Sequence, residues 1–236
     1  MKEKLYIVIP AYNEEENIES VAREWHQVIQ TYGGETSRLV IIDDGSKDNT
    51  YQKICQLKKE LPFLEALTKS NEGHGATVLY GYQYAIKEKA DYIFQTDSDG
   101  QTLPSEFEQF WNKRKTFSVL IGYRNQRQDG FSRIIVTKTL KLVLFLIFHI
   151  NVVDANTPYR LMKRETLEKY IEKIPKKFNL SNVMLTVCFL KYKEKVMFIP
   201  ITFRARQGGK NSINFRKIIK IGIQAIKDFR TIKKNL

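Results

Sequence analysis

Four apolar runs lacking polar alternation, three of them followed by an amphipathic stretch, constrain the first hundred residues most. They are "KLYIVIPAY", "RLVIID", "FLEALTK" and "DYIFQTD". Strands that are apolar at every position are buried on both faces, which is the signature of a parallel sheet covered by helices on each side. The intervening helices have their own punctuation. "NEEENIESVAREWHQVIQTYGG" carries acids in its first turn and stops at Gly33-Gly34; "NTYQKICQLKKE" and "SNEGHGATVLYGYQYAIKEK" supply the next two. The fold class expected is therefore α/β, with a mostly parallel central sheet flanked by helices. At 236 residues the chain suits one domain. The pattern changes after residue 115, which divides the domain into two expected halves, residues 1–115 and 116–236.

The second half has a different character. Residues 1–118 hold 14 Lys and Arg against 19 Asp and Glu, whereas residues 119–236 hold 25 against 7. An acidic half followed by a strongly basic one suits an anionic partner: a phosphorylated substrate, an anionic membrane surface or nucleic acid. "SVLIGYR" reads as another strand. "TKTLKLVLFLIFHI", Thr137–Ile150, is the most apolar stretch but falls short of the roughly 20 residues a membrane span needs. Lys138 and Lys141 at its start favour an interfacial or core helix. The C-terminal "NFRKIIKIGIQAIKDFRTIKKNL" mixes isoleucines and lysines in a way that suits a helix on an anionic membrane or against a partner helix. The opening residues run directly into a strand, without a secretory leader pattern. Cys55 and Cys188 lie in apolar surroundings with no metal-binding spacing, as expected of reduced thiols in a cytosolic protein.

Polar clusters fall where the strands end: Tyr12-Asn13-Glu14, Asp43-Asp44-Gly45 and Asp97-Ser98-Asp99. Ligands of open α/β sheets bind at that edge. Neither a GxGxxG nor a Walker A sequence is present. Two carboxylates at i and i+2 on a tight turn repel each other unless a divalent cation stands between them and a phosphate. Hard oxygen donors on a loop suit Mg²⁺ or Mn²⁺, and Gln101 adds an amide oxygen two residues on.

On these residues the chain resembles the family 2 glycosyltransferases of the GT-A fold, most closely the dolichol- or polyprenyl-phosphate sugar transferases, dolichol-phosphate mannosyltransferase among them. "IPAYNEEENI" and "IIDDGSKDNT" resemble the family's first two strand–loop segments. "NEGHGATVLYGYQYA" is similar to its Asn-x-Gly-x-Gly helix entry, and "DSDGQTLP" to its Asp-x-Asp-x-Gln-x-x-Pro. The resemblance implies a nucleotide-sugar site at Pro10, Tyr12, Glu14, Asp43, Asp44, Gly73, Gly75, Asp97, Ser98 and Asp99. Asp97, Asp99 and Gln101 would hold Mg²⁺ or Mn²⁺ on the diphosphate. His74 is expected as a loop spacer rather than a base.

The basic half would then face the acceptor. "IGYRNQRQDGFSR" resembles the family's acceptor loop, which implies Arg124 and Arg133 as phosphate ligands. "VVDANTPYRLMKRETL" resembles its Asp-x-x-x-x-(Phe/Tyr)-Arg-Leu segment, which implies Asp154 and Arg160. "FRARQGGKNSI" resembles a further stretch, which implies Arg206, Lys210 and Ser212 beside the phosphates. Many relatives that glycosylate a hydroxyl carry a late acid as general base, yet no Asp or Glu occurs between Glu172 and Glu194. A hydroxyl acceptor needs a base, whereas an ionised phosphate needs only positioning. The expected reaction is therefore inverting transfer to polyprenyl phosphate, with Asp99, Asp154 and Arg124 as the catalytic set. UDP-sugar is the favoured donor and GDP-mannose the alternative. Asp154 is either an orienting acid or the salt-bridge partner of Arg160. The enzyme would sit in the cytoplasm on the inner membrane face, with a membrane protein or a second copy as further partner. Two alternatives stand beside this one: transfer to a hydroxyl of a lipid-linked glycan or polysaccharide, with Asp154 as base, and, more distantly, a basic nucleic-acid binder. The second leaves the acidic first half unexplained.

Overall fold

The computed structural model describes residues 2–124 and 131–204 and, nearer the C-terminus, residues 224, 228, 229, 232 and 233; for 131–138 it describes the backbone alone. Arg206, Lys210 and Ser212 lie outside the described residues, as does the side chain of Arg133.

The expected alternation is present. β1 (Leu5–Ala11), α1 (Ile18–Tyr32), β2 (Arg38–Asp43), α2 (Thr50–Glu60), β3 (Leu64–Thr68), α3 (His74–Lys87) and β4 (Tyr92–Gln95) follow one another. A short 3₁₀ turn, Pro104–Glu106, leads into α4 (Phe107–Lys113), then β5 (Val119–Arg124), α5 (Phe131–Phe148), β6 (Arg160–Lys163), α6 (Arg164–Ile171), α7 (Ser181–Lys191) and β7 (Val196–Ile201). The seven strands form one sheet in the order β3-β2-β1-β4-β6-β5-β7.

Successive residues of β1 explain its unbroken apolarity. Leu5, Ile7 and Ile9 point into one core with Trp25, Phe94 and Phe107, while Tyr6 and Val8 point into another with Tyr82, Val183 and Phe189. Both faces are covered, so no polar alternation survives. The sequence did not reveal β6. It runs antiparallel between β4 and β5, pairing Gln95 with Arg160 and Ile121 with Arg160. Four residues paired only with distant strands leave no local signature.

The topology assembles the site. The chain runs outward from β1 through β2 to β3, then returns to the other side of β1 as β4. The crevice at such a reversal is where open α/β sheets bind ligands. The parallel strands β1, β2, β3, β4, β5 and β7 all end at that edge, and antiparallel β6 begins there.

Candidate active site

Loops from both halves of the chain line this edge. Tyr12 follows β1 and is 38% exposed, while Pro10 lies inside the strand opposite Ile42. Glu14 is nearly buried; its carboxylate accepts Asn17 Nδ2 at 2.8 Å, and its carbonyl accepts the Asn17 and Ile18 amides at the start of α1. Asp43 ends β2 and Asp44 follows it, each 3% exposed. Asp43 accepts from Ser46 N at 3.1 Å and Thr68 Oγ1 at 2.9 Å. Asp44 takes Lys69 Nζ at 2.7 Å and Glu72 N at 3.0 Å on one oxygen, and Gly73 N at 2.9 Å on the other. Asp44 thus ties the second loop to the entry of α3, and Lys69 forms a nearly buried cation inside this wall. Sequence reasoning missed Lys69, because a single lysine after a weak strand carries no signal.

The structure adds contacts at the α3 entry that the sequence did not show. Gly73 does adopt the left-handed conformation that favours glycine, φ 92°. Gly75 is required by the protein's own packing: a Cβ there would overlap Phe178 O and stand 2.7 Å from Asn179 O. Gly75→Ala is therefore expected to cost about 1–3 kcal/mol of stability, as overpacking against backbone does, measurable by denaturant unfolding. His74 has a partner across the edge. It opens α3, and its Nε2 lies 2.9 Å from Asp97 Oδ1. Desolvation pulls its proton affinity down, but the Asp97 charge and hydrogen bond, with Asp99 and Asp44 behind, outweigh it and leave the imidazole raised.

After β4 the chain turns through Asp97, Ser98, Asp99, Gly100 and Gln101. Gly100 has φ 70°, and Asp99 Oδ1 accepts Gln101 N at 3.1 Å across the turn. Ser98 is buried, while Asp97 and Asp99 are half-buried. Gln101 is clasped to the segment after β7: Arg204 N donates to its carbonyl at 2.8 Å, and its Nε2 donates to Arg204 O at 2.9 Å. With the nitrogen end so engaged, the amide oxygen is the end left to serve as a ligand. Among the described residues no group of three or more His, Cys, Asp and Glu side chains converges. The donor set is instead an open one of two carboxylates and an amide. That fits a Mg²⁺ or Mn²⁺ ion whose remaining positions go to phosphate oxygens and water.

The acceptor-side residues are arranged differently from the expectation. Arg124 ends β5 and lays its fork on Asp154, Nε to Oδ2 at 2.9 Å and Nη2 to Oδ1 at 3.1 Å. The pair is largely buried, and Phe203 lies beneath the guanidinium with its ring centre 5.2 Å away. Asp154 therefore pairs with Arg124 and not with Arg160. Arg160 is fully buried and donates to the carbonyls of Ala155, Thr157 and Asn182, so it is not presented as a phosphate ligand. A carboxylate engaged on both oxygens by an arginine must give up that pairing before it can take a proton.

Comparison with known proteins identifies the family and the fold. The family model for glycosyl transferase family 2 matches residues 6–174. The polyprenol monophosphomannose synthase of Mycolicibacterium smegmatis is 25% identical over 222 residues, covering 90% of this chain and 82% of that protein. The UDP-N-acetylglucosamine–dolichyl-phosphate N-acetylglucosaminyltransferase of Methanococcus voltae is 27% identical, covering 74% and 75%. An undecaprenyl-phosphate 4-deoxy-4-formamido-L-arabinose transferase of Salmonella paratyphi B is 22% identical; the match covers 92% of this chain but only 65% of that longer protein. Among solved structures, the glucosyl-3-phosphoglycerate synthase of Mycobacterium tuberculosis with Mn²⁺, uridine diphosphate and phosphoglyceric acid superposes with a TM-score of 0.71. It is 15% identical, over 98% of this chain and 78% of that one. A family model matched over that span makes the chain a member of glycosyl transferase family 2, a glycosyltransferase built on the GT-A fold.

Proposed function

We propose that the protein transfers a sugar from a nucleotide sugar to a polyprenyl phosphate at a membrane surface, with inversion at the anomeric carbon. The observation that carries this reading is the Arg124–Asp154 pair at the catalytic edge. The most prominent acid on the acceptor side holds an arginine in place and is not free to act as a base. A phosphate monoester is already largely ionised at pH 7, so it needs cationic positioning and no deprotonation. The names of the relatives, each a polyprenyl-type acceptor, support the same choice.

In the proposed reaction a phosphate oxygen of the acceptor forms a bond to the anomeric carbon on one face. The bond from that carbon to the nucleoside diphosphate breaks on the other, and its electron pair leaves with the diphosphate. Tyr12, Asp43 and the Asp44–Lys69 wall would hold the nucleoside. Asp97, Asp99 and Gln101 would hold a Mg²⁺ or Mn²⁺ ion, which when bound neutralises charge developing on the leaving diphosphate. Arg124 would orient the acceptor phosphate. UDP-sugar is the favoured donor class and GDP-mannose the alternative. The direct test is transfer of labelled sugar from a panel of UDP- and GDP-sugars to short-chain polyprenyl phosphate. A lipid-soluble product is expected with one donor class, and nucleotide-sugar hydrolysis alone would contradict the proposal.

The membrane part of the reading rests on α5. Leu144 and Phe148 face the core, where Phe148 meets Phe229 with ring centres 5.9 Å apart. Leu142, Phe145 and Leu146 form an outward stripe, 58%, 46% and 62% exposed, beside exposed Lys141. Among the described residues no helix is long and apolar enough to cross a membrane. A helix apolar on two faces, with one left outward, suits insertion into the headgroup boundary, with the basic half attracted to anionic lipid. Phe145→Glu with Leu146→Glu is expected to weaken binding to anionic vesicles by at least about tenfold, from the burial of two large side chains. Vesicle sedimentation measures it, and unchanged binding would remove α5 from the membrane contact.

A further inference from the structure

A layer of buried polar side chains lies behind the catalytic edge and plays no part in the chemistry above. Tyr82, Gln95, Thr157, Arg160 and Thr186 are fully buried, and Asn182 nearly so. Arg160 is at its centre. Its Nε donates to Thr157 O at 3.1 Å, and Nη2 to Thr157 O at 2.8 Å and Ala155 O at 3.3 Å. Its Nη1 reaches Asn182 O at 3.1 Å and Thr186 Oγ1 at 3.4 Å. Every one of these acceptors is neutral. A buried guanidinium without a carboxylate costs more than an apolar side chain of similar volume would. Desolvation lowers its proton affinity, and Tyr82, Asp154 and Asp97 act in the opposite sense.

What the guanidinium fastens together gives its retention a reason. Ala155 and Thr157 belong to the turn that directly follows Asp154, and Asn182 and Thr186 belong to α7. Thr186 Oγ1 adds its own bridge between the two, reaching Ala155 O at 3.2 Å and Asn182 O at 2.8 Å. Asp154 in turn accepts Asn156 N within that turn and the fork of Arg124 outside it. A continuous chain of contacts thus runs from α7 through Arg160 and the 154–157 turn to Asp154, and ends at Arg124. We propose that Arg160 is a positioning residue for the acceptor side: it locks the 154–157 turn onto α7 so that Asp154 aims Arg124 at the acceptor phosphate. The inference rests on the phosphate-acceptor reading. It moves Arg160 from a ligand of the phosphate to the support of one.

The test compares Arg160→Lys, Thr186→Val, Arg124→Ala and the double variant Arg124→Ala/Arg160→Lys. Binding of UDP and GDP with Mn²⁺ is measured beside transfer to polyprenyl phosphate. Displacing a catalytic group by about an ångström costs on the order of 100-fold. Arg160→Lys is therefore expected to lower kcat/KM for the acceptor by about 30-fold, given a partial displacement, while nucleotide affinity stays within about twofold. Thr186→Val, a milder change to the same clamp, is expected to give a smaller acceptor-selective loss of about three- to tenfold. The double variant should be no worse than Arg124→Ala alone, because the two act in series. A merely structural role would lower nucleotide binding and acceptor use together, or make the double variant multiplicatively worse, and either result overturns the proposal. Should Arg160→Lys not fold, a Thr186→Val variant without acceptor-selective loss overturns it as well. Absence of wild-type transfer to any polyprenyl phosphate, with nucleotide binding intact, refutes the acceptor reading itself and leaves Arg160 no phosphate to serve.

Discussion

Asp99→Asn is expected to lower sugar transfer by on the order of 1000-fold while leaving the fold as stable as before. The size follows from losing charge stabilisation aimed at the leaving group, where a single preorganised group is worth about 100- to 1000-fold. Stability is spared for a local reason. Asp99 is half-buried on a turn, and an Asn of the same shape keeps an oxygen that can accept Gln101 N, which lies 3.1 Å from the carboxylate. Replacing it also removes one of two carboxylates placed close enough to repel. The sharper readout is thermal. A ligand that binds only the folded state raises stability by about 2.7 kcal/mol at 100 times its Kd. Mn²⁺ with UDP or GDP should therefore raise the melting temperature of the wild type by several degrees and that of Asp99→Asn far less. An equal shift in both proteins would remove Asp99 from the metal site.

Asp154→Asn produces a large effect of the opposite kind: stability falls, and activity falls with it. Asp154 is 5% exposed and carries the Arg124 fork on both oxygens. Asn keeps the shape but removes the charge, leaving a largely buried guanidinium without its counter-ion. Breaking such a pair from one side costs about 3–5 kcal/mol. For a domain of this size that is a fall in melting temperature of about 6–20 °C. Transfer should drop through a raised KM for the acceptor, since Arg124 loses its aim. A general base behaves differently: Asn in its place would abolish kcat with little change in stability. Chemical denaturation and steady-state kinetics on one preparation separate the two roles.

These expectations depend on contacts that the sequence showed unevenly. β1 to β4 were legible because each strand and its helix are local, and both sides of the sheet are buried. The Asp-x-Asp turn was legible for a related reason, since two acids on a tight turn are unfavourable without a cation. Arg160 entered as one alternative partner of Asp154 because the two are six residues apart in one segment, whereas Arg124 lies 30 residues away on another strand. Only the antiparallel insertion of β6 beside β5 brings Arg124 to Asp154 and carries Arg160 inward. Helix α7 was similarly silent. Nine of its residues from Ser181 to Phe189 are buried, so it shows no amphipathic period, and its stretch read only as a gap in the acids. The need for glycine at position 75 depends on a loop about a hundred residues further on, which no local pattern could signal.

The claim that the acceptor is an already ionised phosphate is tested most directly by offering the enzyme two lipids in competition. One is a short-chain polyprenyl phosphate; the other is the matching uncharged polyprenol. Both are supplied with the preferred nucleotide sugar and Mn²⁺ or Mg²⁺, and the products are weighed by mass spectrometry. Sugar found only on the phosphate, with the polyprenol untouched, is the expected result. Sugar attached to the polyprenol hydroxyl, with transfer abolished in a stably folded Asp154→Asn variant, would contradict it and make Asp154 a base.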